Sequence, residues 1–338
     1  MTIGNLALIS LDSGKEFARR TCEELNKIYS SEQKDDQLAL TPSDEVHFSN
    51  GEVKVMINNS LRDKDVYIFQ LIEDPHSPKS INDNIMALST AIDACFYCDA
   101  KRITAVIPQY PYARQDKKRG REGITAKVVG KMFENTGADR VITLDIHSEA
   151  IEGFFNKLKI ENLHCGRYFV QYIKNNLNVN NLTIVAPDVG SAKRGLYYSS
   201  KLETNLAIIE KVRDYHKVST IDTMRLVGDV KGRDVFINDD MLATGGTLLS
   251  ACRLLKDQGA RDIYITVSLP FFNKQAYIKF DKAYKNGLFK QVIGTDAVMW
   301  GDYFLKSYPW YKEISVAPLF AKVISSLNME KSVSKLLE

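Results

Sequence analysis

The chain of 338 residues has no apolar stretch that approaches the ~18 residues of a membrane-spanning helix. Its N-terminus, MTIGNLALISLDSGKEF, has only a short apolar run before charged residues appear, which does not indicate an export signal. The formal net charge is +3, a small value for this length, so bulk electrostatics give no support for nucleic-acid binding. We expect a cytoplasmic protein that binds neither a membrane nor nucleic acid.

Cysteine is scarce as well. The five cysteines are an odd and scattered set, which argues against a disulfide framework: Cys22, Cys95, Cys98, Cys165 and Cys252. Only Cys95 and Cys98 have the C-x-x-C spacing, and they lie in a helix-like segment with no second pair. We expect reduced core thiols rather than a metal or redox site.

The sequence does contain a regular alternation of short β-rich apolar runs and longer amphipathic segments. Helix-like stretches span residues 82–99, 125–136, 190–202 and 246–259. This alternation predicts an α/β fold in which mainly parallel sheets are flanked by helices on both faces. Ligands of such sheets collect at the carboxyl ends of the strands. Four apolar runs end in polar groups, in TLDIH, VAPDVGSAKR, INDD and IGTD.

The length favours two domains. The apolar runs form two comparable halves, and we expect similar α/β domains over residues 1–155 and 156–316. The final segment, 317–338, reads as one amphipathic helix, which we expect to join the first domain. Residues 29–44 are polar and patternless, which predicts an exposed loop insertion.

One segment, VFINDDMLATGGTLLSA at residues 235–251, indicates chemistry directly. An apolar run leads into Asp239 and Asp240, whose carboxylates can accept hydrogen bonds from a pair of vicinal hydroxyls. Glycines at a helix start let backbone N–H groups approach a phosphate closely. A Thr-Gly-Gly-Thr sequence on its own would indicate only an interruption of regular secondary structure. After a strand and two acids, it predicts a cradle for ribose 5-phosphate. The cradle residues are Asp239, Asp240, Thr244, Gly245, Gly246 and Thr247.

This segment resembles the phosphoribosyl pyrophosphate (PRPP) binding motif of the type I phosphoribosyltransferase fold. That motif is shared by the transferases that consume PRPP and by the synthetase that makes it. The rest of the chain is similar to the synthetase, ribose-phosphate pyrophosphokinase, over most of its length and in the same order. The segments that carry this resemblance are residues 47–70, 81–88, 100–127, 137–147, 185–194 and 227–240.

The resemblance implies two type I phosphoribosyltransferase-like domains and the transfer of a diphosphoryl group from ATP to ribose 5-phosphate. It further implies Mg²⁺ as cofactor. In that family an adenine-binding segment reaches in from a neighbouring subunit, which implies a homo-oligomer, a hexamer or another dimer-based assembly, with a shared ATP site.

The resemblance also assigns residues to the ATP site. They are Phe48, Asn50, Glu52, Arg114, Gln115, Asp116 and His147. Without the resemblance, we would interpret the segment around Asn50 as a hairpin turn. We would interpret the basic run after Tyr112 as a solvated loop. His147 would then be a capping or core histidine.

The expected metal-site residues are His147 and Asp188, although Mg²⁺ prefers oxygen ligands and retains water. Lys211 and Arg213, in IIEKVRD at residues 208–214, are predicted to lie just beyond an apolar strand, where the simple interpretation is charge at an exposed strand end. In the family this K-x-R belongs to a flexible catalytic loop. We therefore expect Lys211 and Arg213 to be the catalytic cations.

The sequence departs from the family pattern at two positions and in one segment. Ala243 replaces an acid of the PRPP motif, SLPFFN replaces the usual segment at residues 268–273, and Gly123 replaces a proline. Two alternatives stay open for this reason. One is a PRPP-using phosphoribosyltransferase, and the other is a non-catalytic regulatory subunit of a PRPP synthetase.

Overall fold

The computed structural model describes residues 5–31, 37–212 and 223–337. The chain divides into two compact units. The first comprises Met1–His164, Asp296–Met299 and Ser315–Glu338, and the second comprises Cys165–Thr295 and Trp300–Ile314.

The first unit is built on a six-stranded sheet in the order β2-β1-β5-β6-β7-β8, in which all neighbouring pairs are parallel. A hairpin of β3 and β4 forms a separate antiparallel sheet. The strands are β1 (Asn5–Ser10), β2 (Leu40–Thr41), β3 (Ser43–His47), β4 (Val53–Ile57), β5 (Lys64–Phe69), β6 (Arg102–Val106), β7 (Arg140–Leu144) and β8 (Lys159–Leu163). The helices before residue 165 are α1 (Lys15–Ser31), α2 (Ile81–Tyr97) and α3 (Thr125–Asn135).

The second unit has a seven-stranded sheet in the order β11-β10-β9-β12-β13-β14-β15. Among the strands described in this sheet, only the edge strand β11 is antiparallel to its neighbour. The strands are β9 (Leu182–Ala186), β10 (Asn205–Val212), β11 (Thr223–Val227), β12 (Asp234–Met241), β13 (Ile263–Leu269), β14 (Gln291–Thr295) and β15 (Tyr311–Ile314). The helices are α4 (Gly166–Asn176), α5 (Ala192–Leu202), α6 (Gly246–Asp257), α7 (Ala276–Lys285) and α8 (Gly301–Ser307). The predicted α/β fold with mainly parallel sheets is confirmed.

Local sequence explains why these elements form. The central strands are continuous apolar runs, as in residues 66–69 of β5, because strands of a parallel sheet are buried on both faces. Helix α2 begins where Ser80 and Asp83 form a capping box, which pairs two backbone N–H groups that the first turn would leave without partners. The five cysteines are free thiols, as expected, and Cys98 alone among them is not buried.

Two sequence predictions were wrong in part. Residues 29–44 are not a single loop, because α1 continues to Ser31 and the short strands β2 and β3 begin at Leu40 and Ser43. The C-terminal segment forms two helices rather than one, α9 (Ala317–Asn328) and α10 (Ser334–Leu337). Within the described residues, no helix has the length and apolar character needed to cross a bilayer.

Not every strand-end acid lies at an open sheet edge. Asp296, which follows β14 in the IGTD run, is fully buried in the first unit. Its carboxylate accepts hydrogen bonds from the hydroxyl of Ser315 at 2.5 Å, the N–H of Val316 at 2.7 Å and the guanidinium of Arg20 at 3.1 Å. The partners of Asp296 show that its role is structural.

Candidate active site

The register of the second sheet brings several predicted site residues to one edge. In the adjacent strands β9 and β12, Val185 pairs with Ile237. Asp188 follows this pair on one strand, and Asp239 and Asp240 follow it on the other. Because parallel strands end at the same edge, the three acids lie at the carboxyl end of the sheet.

Lys211 lies at the same edge. Ile208 of β10 pairs with Ala186, the last residue of β9, so Lys211 is three positions beyond that pair. The prediction that Lys211 lies beyond a strand was wrong, because its backbone continues in β10 and pairs with Met224 of β11. Arg213 lies outside the described residues.

Of the two consecutive acids of β12, Asp240 is buried and Asp239 is half-buried. Asp240 is 6% exposed, and its N–H donates a hydrogen bond of 3.0 Å to Oδ1 of Asp239. Burial raises the pKa of Asp239 well above its ordinary value, and the neighbouring carboxyl of Asp240 raises it further. Arg194 of α5 opposes this shift and lies 3.7 Å from Oδ1 of Asp240. Arg194 was not among the residues predicted from the sequence, because only the tertiary fold brings α5 next to β12.

The predicted phosphate loop leads directly into α6. Gly245 is the N-cap and has a φ of 68°, the left-handed region that favours glycine. A Cβ at Gly245 would lie 2.2 Å from Cε2 of Phe280, whereas a Cβ at Gly246 would meet no atom within 4 Å. The side chains of Thr244 and Thr247 are exposed beside these glycines. The loop therefore presents hydroxyls and the N-terminus of a 12-residue helix to solvent, an arrangement that suits a phosphate.

Asp188 is held by the backbone that follows β9. Its Oδ1 accepts a hydrogen bond of 2.8 Å from the N–H of Ser191, and the Ser191 hydroxyl donates to the Asp188 carbonyl oxygen at 2.8 Å. The side chain is half-buried. This turn gives the carboxylate a defined orientation at the sheet edge.

In the first unit, the β3–β4 hairpin carries three of the predicted ATP-site residues at its tip. The N–H of Phe48 donates to the carbonyl of Glu52 at 2.8 Å, and Asn50 Oδ1 accepts from the Glu52 N–H at 3.2 Å. All three side chains are exposed, and Phe48 retains 49% of its accessible surface. The tip is a tight turn that presents an aromatic ring without burying it.

The second predicted ATP-site segment precedes α3. Gln115 Oε1 accepts a hydrogen bond of 2.6 Å from the hydroxyl of Thr125, the first residue of that helix. The Gln115 N–H donates to the Tyr112 carbonyl at 2.8 Å. Arg114 and Gln115 are exposed and Asp116 is half-buried. The backbone around Gln115 is thus ordered by the fold, and the cation of Arg114 faces solvent.

His147 follows β7 and is exposed. The turn before it is fixed by Asp145, which lies 2.9 Å from Nδ1 of His164, and by the Ile146 N–H, which donates to Asn162 Oδ1 at 3.0 Å. The hydrogen bond with Asp145 raises the pKa of His164. His147 belongs to the first unit, whereas Asp188, the other predicted metal-site residue, belongs to the second.

The structure also brings together a polar group that sequence reasoning missed. Ligand atoms of Asp12, Glu45 and His47 lie within 4.8 Å of one another. The ammonium of Lys79 donates to Asp12 Oδ2 and to Glu45 Oε1, each at 2.8 Å. No spacing pattern could reveal this group, because its members come from three separate segments.

Two family models match this chain. The N-terminal domain of ribose phosphate pyrophosphokinase matches residues 6–137, and the phosphoribosyl transferase domain matches residues 156–303. Ribose-phosphate pyrophosphokinase 4 of Saccharomyces cerevisiae is 35% identical over 337 residues, which cover 99% of this chain and 96% of the relative. Ribose-phosphate pyrophosphokinase A of Dictyostelium discoideum is 39% identical over 332 residues, which cover 98% and 97%.

A solved structure has a similar fold over nearly the whole chain. It is phosphoribosylpyrophosphate synthetase from Mycobacterium smegmatis, with a TM-score of 0.83 and 31% identity. The similarity covers 96% of this chain and 99% of the solved chain. The similarity therefore extends through both units, and the resemblance inferred from the sequence motifs is confirmed.

Proposed function

Since this chain belongs to the ribose-phosphate pyrophosphokinase family, we propose that it transfers the diphosphoryl group of ATP to the 1-hydroxyl of ribose 5-phosphate. The products are PRPP, for nucleotide biosynthesis, and AMP. The observation that carries the proposal is the Asp239–Asp240 pair followed by the Gly245 turn at the start of α6. A carboxylate pair and a phosphate cradle separated by four residues match the two ends of a ribose 5-phosphate.

Ribose 5-phosphate binding is assigned to the carboxyl edge of the second sheet. Its vicinal hydroxyls donate hydrogen bonds to the carboxylates of Asp239 and Asp240. Its 5-phosphate accepts hydrogen bonds from the backbone N–H groups at the start of α6 and from the hydroxyls of Thr244 and Thr247. The exposure of both threonines and the open space at Gly246 support this assignment.

ATP binding is assigned to exposed residues of the first unit. The adenine stacks on the ring of Phe48, and the exposed surface of this ring supports the assignment. Asn50, Glu52 and His147 contact the nucleotide, as do Arg114, Gln115 and Asp116. A hairpin tip that presents an aromatic ring to solvent suits a site shared between subunits, so we place the active enzyme in a homo-oligomer.

Mg²⁺ is the metal that the family implies, and the carboxylate of Asp188 fits it. Oxygen donors suit this hard cation, and the hydrogen bond from Ser191 orients the carboxylate at the edge where the sugar phosphate binds. Asp188 would hold the metal together with phosphate oxygens, and the assigned contact of His147 is the weaker one, since nitrogen is a poorer ligand for Mg²⁺. When bound, Mg²⁺ supplies positive charge to the phosphates of ATP.

The catalytic cations in this proposal are Lys211 and Arg213. The 1-hydroxyl oxygen of ribose 5-phosphate attacks the β-phosphorus of ATP, the bond to the oxygen between the α- and β-phosphorus breaks, and AMP leaves. The hydroxyl proton passes to solvent or to a base. Positive charge on Lys211 and Arg213 stabilises the negative charge on the transferring group. The position of Lys211 beyond the end of β9 supports this role.

The location and domain boundaries of the enzyme are part of the same proposal. We place it in the cytoplasm, where ATP and ribose 5-phosphate are available. The domain division after residue 155, with an N-terminal and a C-terminal phosphoribosyltransferase-like domain, stays a prediction.

The deciding experiment mixes the purified protein with ATP, Mg²⁺ and ribose 5-phosphate and follows phosphorus NMR. Equal amounts of AMP and PRPP are expected. Absence of turnover with both ligands still bound would contradict the proposal and favour a regulatory subunit. Base-dependent release of pyrophosphate from added PRPP would favour a phosphoribosyltransferase.

A further inference from the structure

The β3–β4 hairpin that carries Phe48 is not part of the main sheet of the first unit. An isolated two-stranded hairpin is marginally stable at best in water, so its position depends on what holds it. On one face Val55 is 6% exposed and belongs to the hydrophobic core of the unit. A second attachment is polar and lies on β3.

Glu45 forms this second attachment. Its side chain is only 2% exposed, which is unusual for a carboxylate and requires several partners. Oε2 accepts the backbone N–H of Asp12 at 2.8 Å, and Oε1 accepts the ammonium of Lys79 at 2.8 Å. Oε1 also lies 2.6 Å from Nε2 of His47. Glu45 therefore joins the hairpin to two other segments of the unit.

Lys79 is the centre of this group. It stands directly before Ser80, the N-cap of α2, and its side chain is 20% exposed. Its ammonium binds both Glu45 and Asp12 at 2.8 Å. Partial burial acts to lower the pKa of Lys79, but the hydrogen bonds that its ammonium donates to Asp12 and Glu45 raise it overall. The ammonium of Lys79, at the start of α2, thus binds both Glu45 of the hairpin and Asp12 in the turn after β1.

The same residues do not make a convincing metal site. Asp12, Glu45 and His47 offer ligand atoms within 4.8 Å of one another. The Lys79 ammonium already lies between the two carboxylates and supplies the positive charge that an ion would bring. A bound metal would have to displace it.

We propose that Lys79, acting through Glu45, is a positioning residue that holds the hairpin so that Phe48 meets the adenine of ATP. The inference rests on the proposed function, because it assumes that Phe48 binds ATP. The Glu45 carboxylate is buried, and without the Lys79 ammonium it keeps only the Asp12 N–H and His47 as partners, so the hairpin shifts or loosens when Lys79 is neutral. Val55 still belongs to the hydrophobic core, so β4 stays attached to the unit.

The test compares three variants of the full-length protein. Lys79→Met removes the charge and keeps the length, and Lys79→Arg keeps the charge. Lys15→Met is the matched control, because Lys15 binds the same Asp12 at 2.7 Å from an exposed position and makes no hydrogen bond to the hairpin. For each, ATP affinity is measured by titration calorimetry, the Michaelis constants by steady-state kinetics, and hairpin protection by hydrogen exchange of residues 43–57.

Lys79→Met is expected to weaken ATP affinity and raise the ATP Michaelis constant by about tenfold, with the ribose 5-phosphate constant unchanged. Amide exchange in residues 43–57 should accelerate while β1 and β5 stay protected. Lys79→Arg and Lys15→Met should behave like the wild type. If Lys79→Met accelerates amide exchange of residues 43–57 but leaves ATP affinity normal, Lys79 does not position Phe48 for ATP. If it weakens ATP affinity but leaves this exchange normal, Lys79 does not act through the hairpin. A wild type that makes no PRPP would refute the proposed function, while ATP affinity and exchange would still decide this inference.

Discussion

The N–H of Asp240 donates a hydrogen bond of 3.0 Å to Oδ1 of Asp239, so the half-buried side chain of Asp239 bends back along the strand toward the buried Asp240. Burial disfavours the charged form of Asp239, and the neighbouring carboxyl of Asp240 disfavours it further. The pKa of Asp239 is accordingly raised well above its ordinary value of 3.8. A carboxyl group perturbed by burial and by a neighbouring acid is a candidate functional group.

Asp239→Asn should stabilise the protein at neutral pH and weaken binding of ribose 5-phosphate. Because the pKa of Asp239 is raised in the folded state, stability falls as pH rises from 3.8 through the folded value. The amide removes this cost but accepts sugar hydroxyls less strongly. Thermal unfolding at pH 7 and titration calorimetry would measure the two effects. Unchanged ribose 5-phosphate affinity would contradict the hydroxyl-binding role.

The matched control is Asp234→Asn, at the opposite end of the same strand. Arg261 donates to both oxygens of Asp234, at 2.7 and 2.6 Å, and this hydrogen bonding lowers the pKa of Asp234. The stability it contributes is present above 3.8 and is lost as pH falls through the lower folded value. Asp234→Asn should therefore lower the unfolding temperature at pH 7 by a few degrees and leave sugar-phosphate affinity normal.

Lys211→Ala should reduce turnover by roughly two or more orders of magnitude while ribose 5-phosphate still binds, because the lost charge acts on the transferring group. Steady-state kinetics and calorimetry would separate the two effects. Lys231→Ala is the control, since Lys231 is exposed and precedes β12 at the other edge of the sheet. Near-normal turnover of Lys211→Ala would refute its catalytic assignment.

Phe48→Ala should raise the Michaelis constant for ATP by roughly tenfold, the loss expected when a base loses an aromatic partner. Its ring is 49% exposed, so the unfolding temperature should change little. Tyr97→Ala, which removes an aromatic side chain that is 78% exposed, should alter neither quantity. A Phe48 variant with normal ATP kinetics and a much lower unfolding temperature would show that the ring is structural.

The two glycines of the phosphate loop should respond differently to alanine. Gly245→Ala should destabilise the loop, because its φ is 68° and the new Cβ would lie 2.2 Å from Phe280. Gly246→Ala should leave the unfolding temperature unchanged, since its Cβ meets no atom within 4 Å, but it should weaken phosphate binding. Equal thermal stability of the two variants, measured by calorimetric scans, would contradict this account.

Much of the fold was predictable because its signals are local. The helix expected over residues 82–99 forms at Ile81–Tyr97, and the helix expected over 246–259 forms at Gly246–Asp257. Periodicity and turn residues mark such elements within a few positions. Residues 29–44 and the strand position of Lys211 were predicted wrongly, because β2, β3 and the end of β10 form by pairing with other strands, and β1, the partner of β2, is distant in sequence.

The sequence by itself determined the family, the α/β alternation, and the order of acids, glycines and cations in the motifs. These are properties of residues that are close together in the sequence, so they can be read without knowing any tertiary contact. Only the tertiary structure decided that Arg194 lies beside Asp240 and that Lys79 binds Glu45. Such contacts join residues that are far apart in sequence, and they form because burying a charge is favourable only where folding brings a partner close to it.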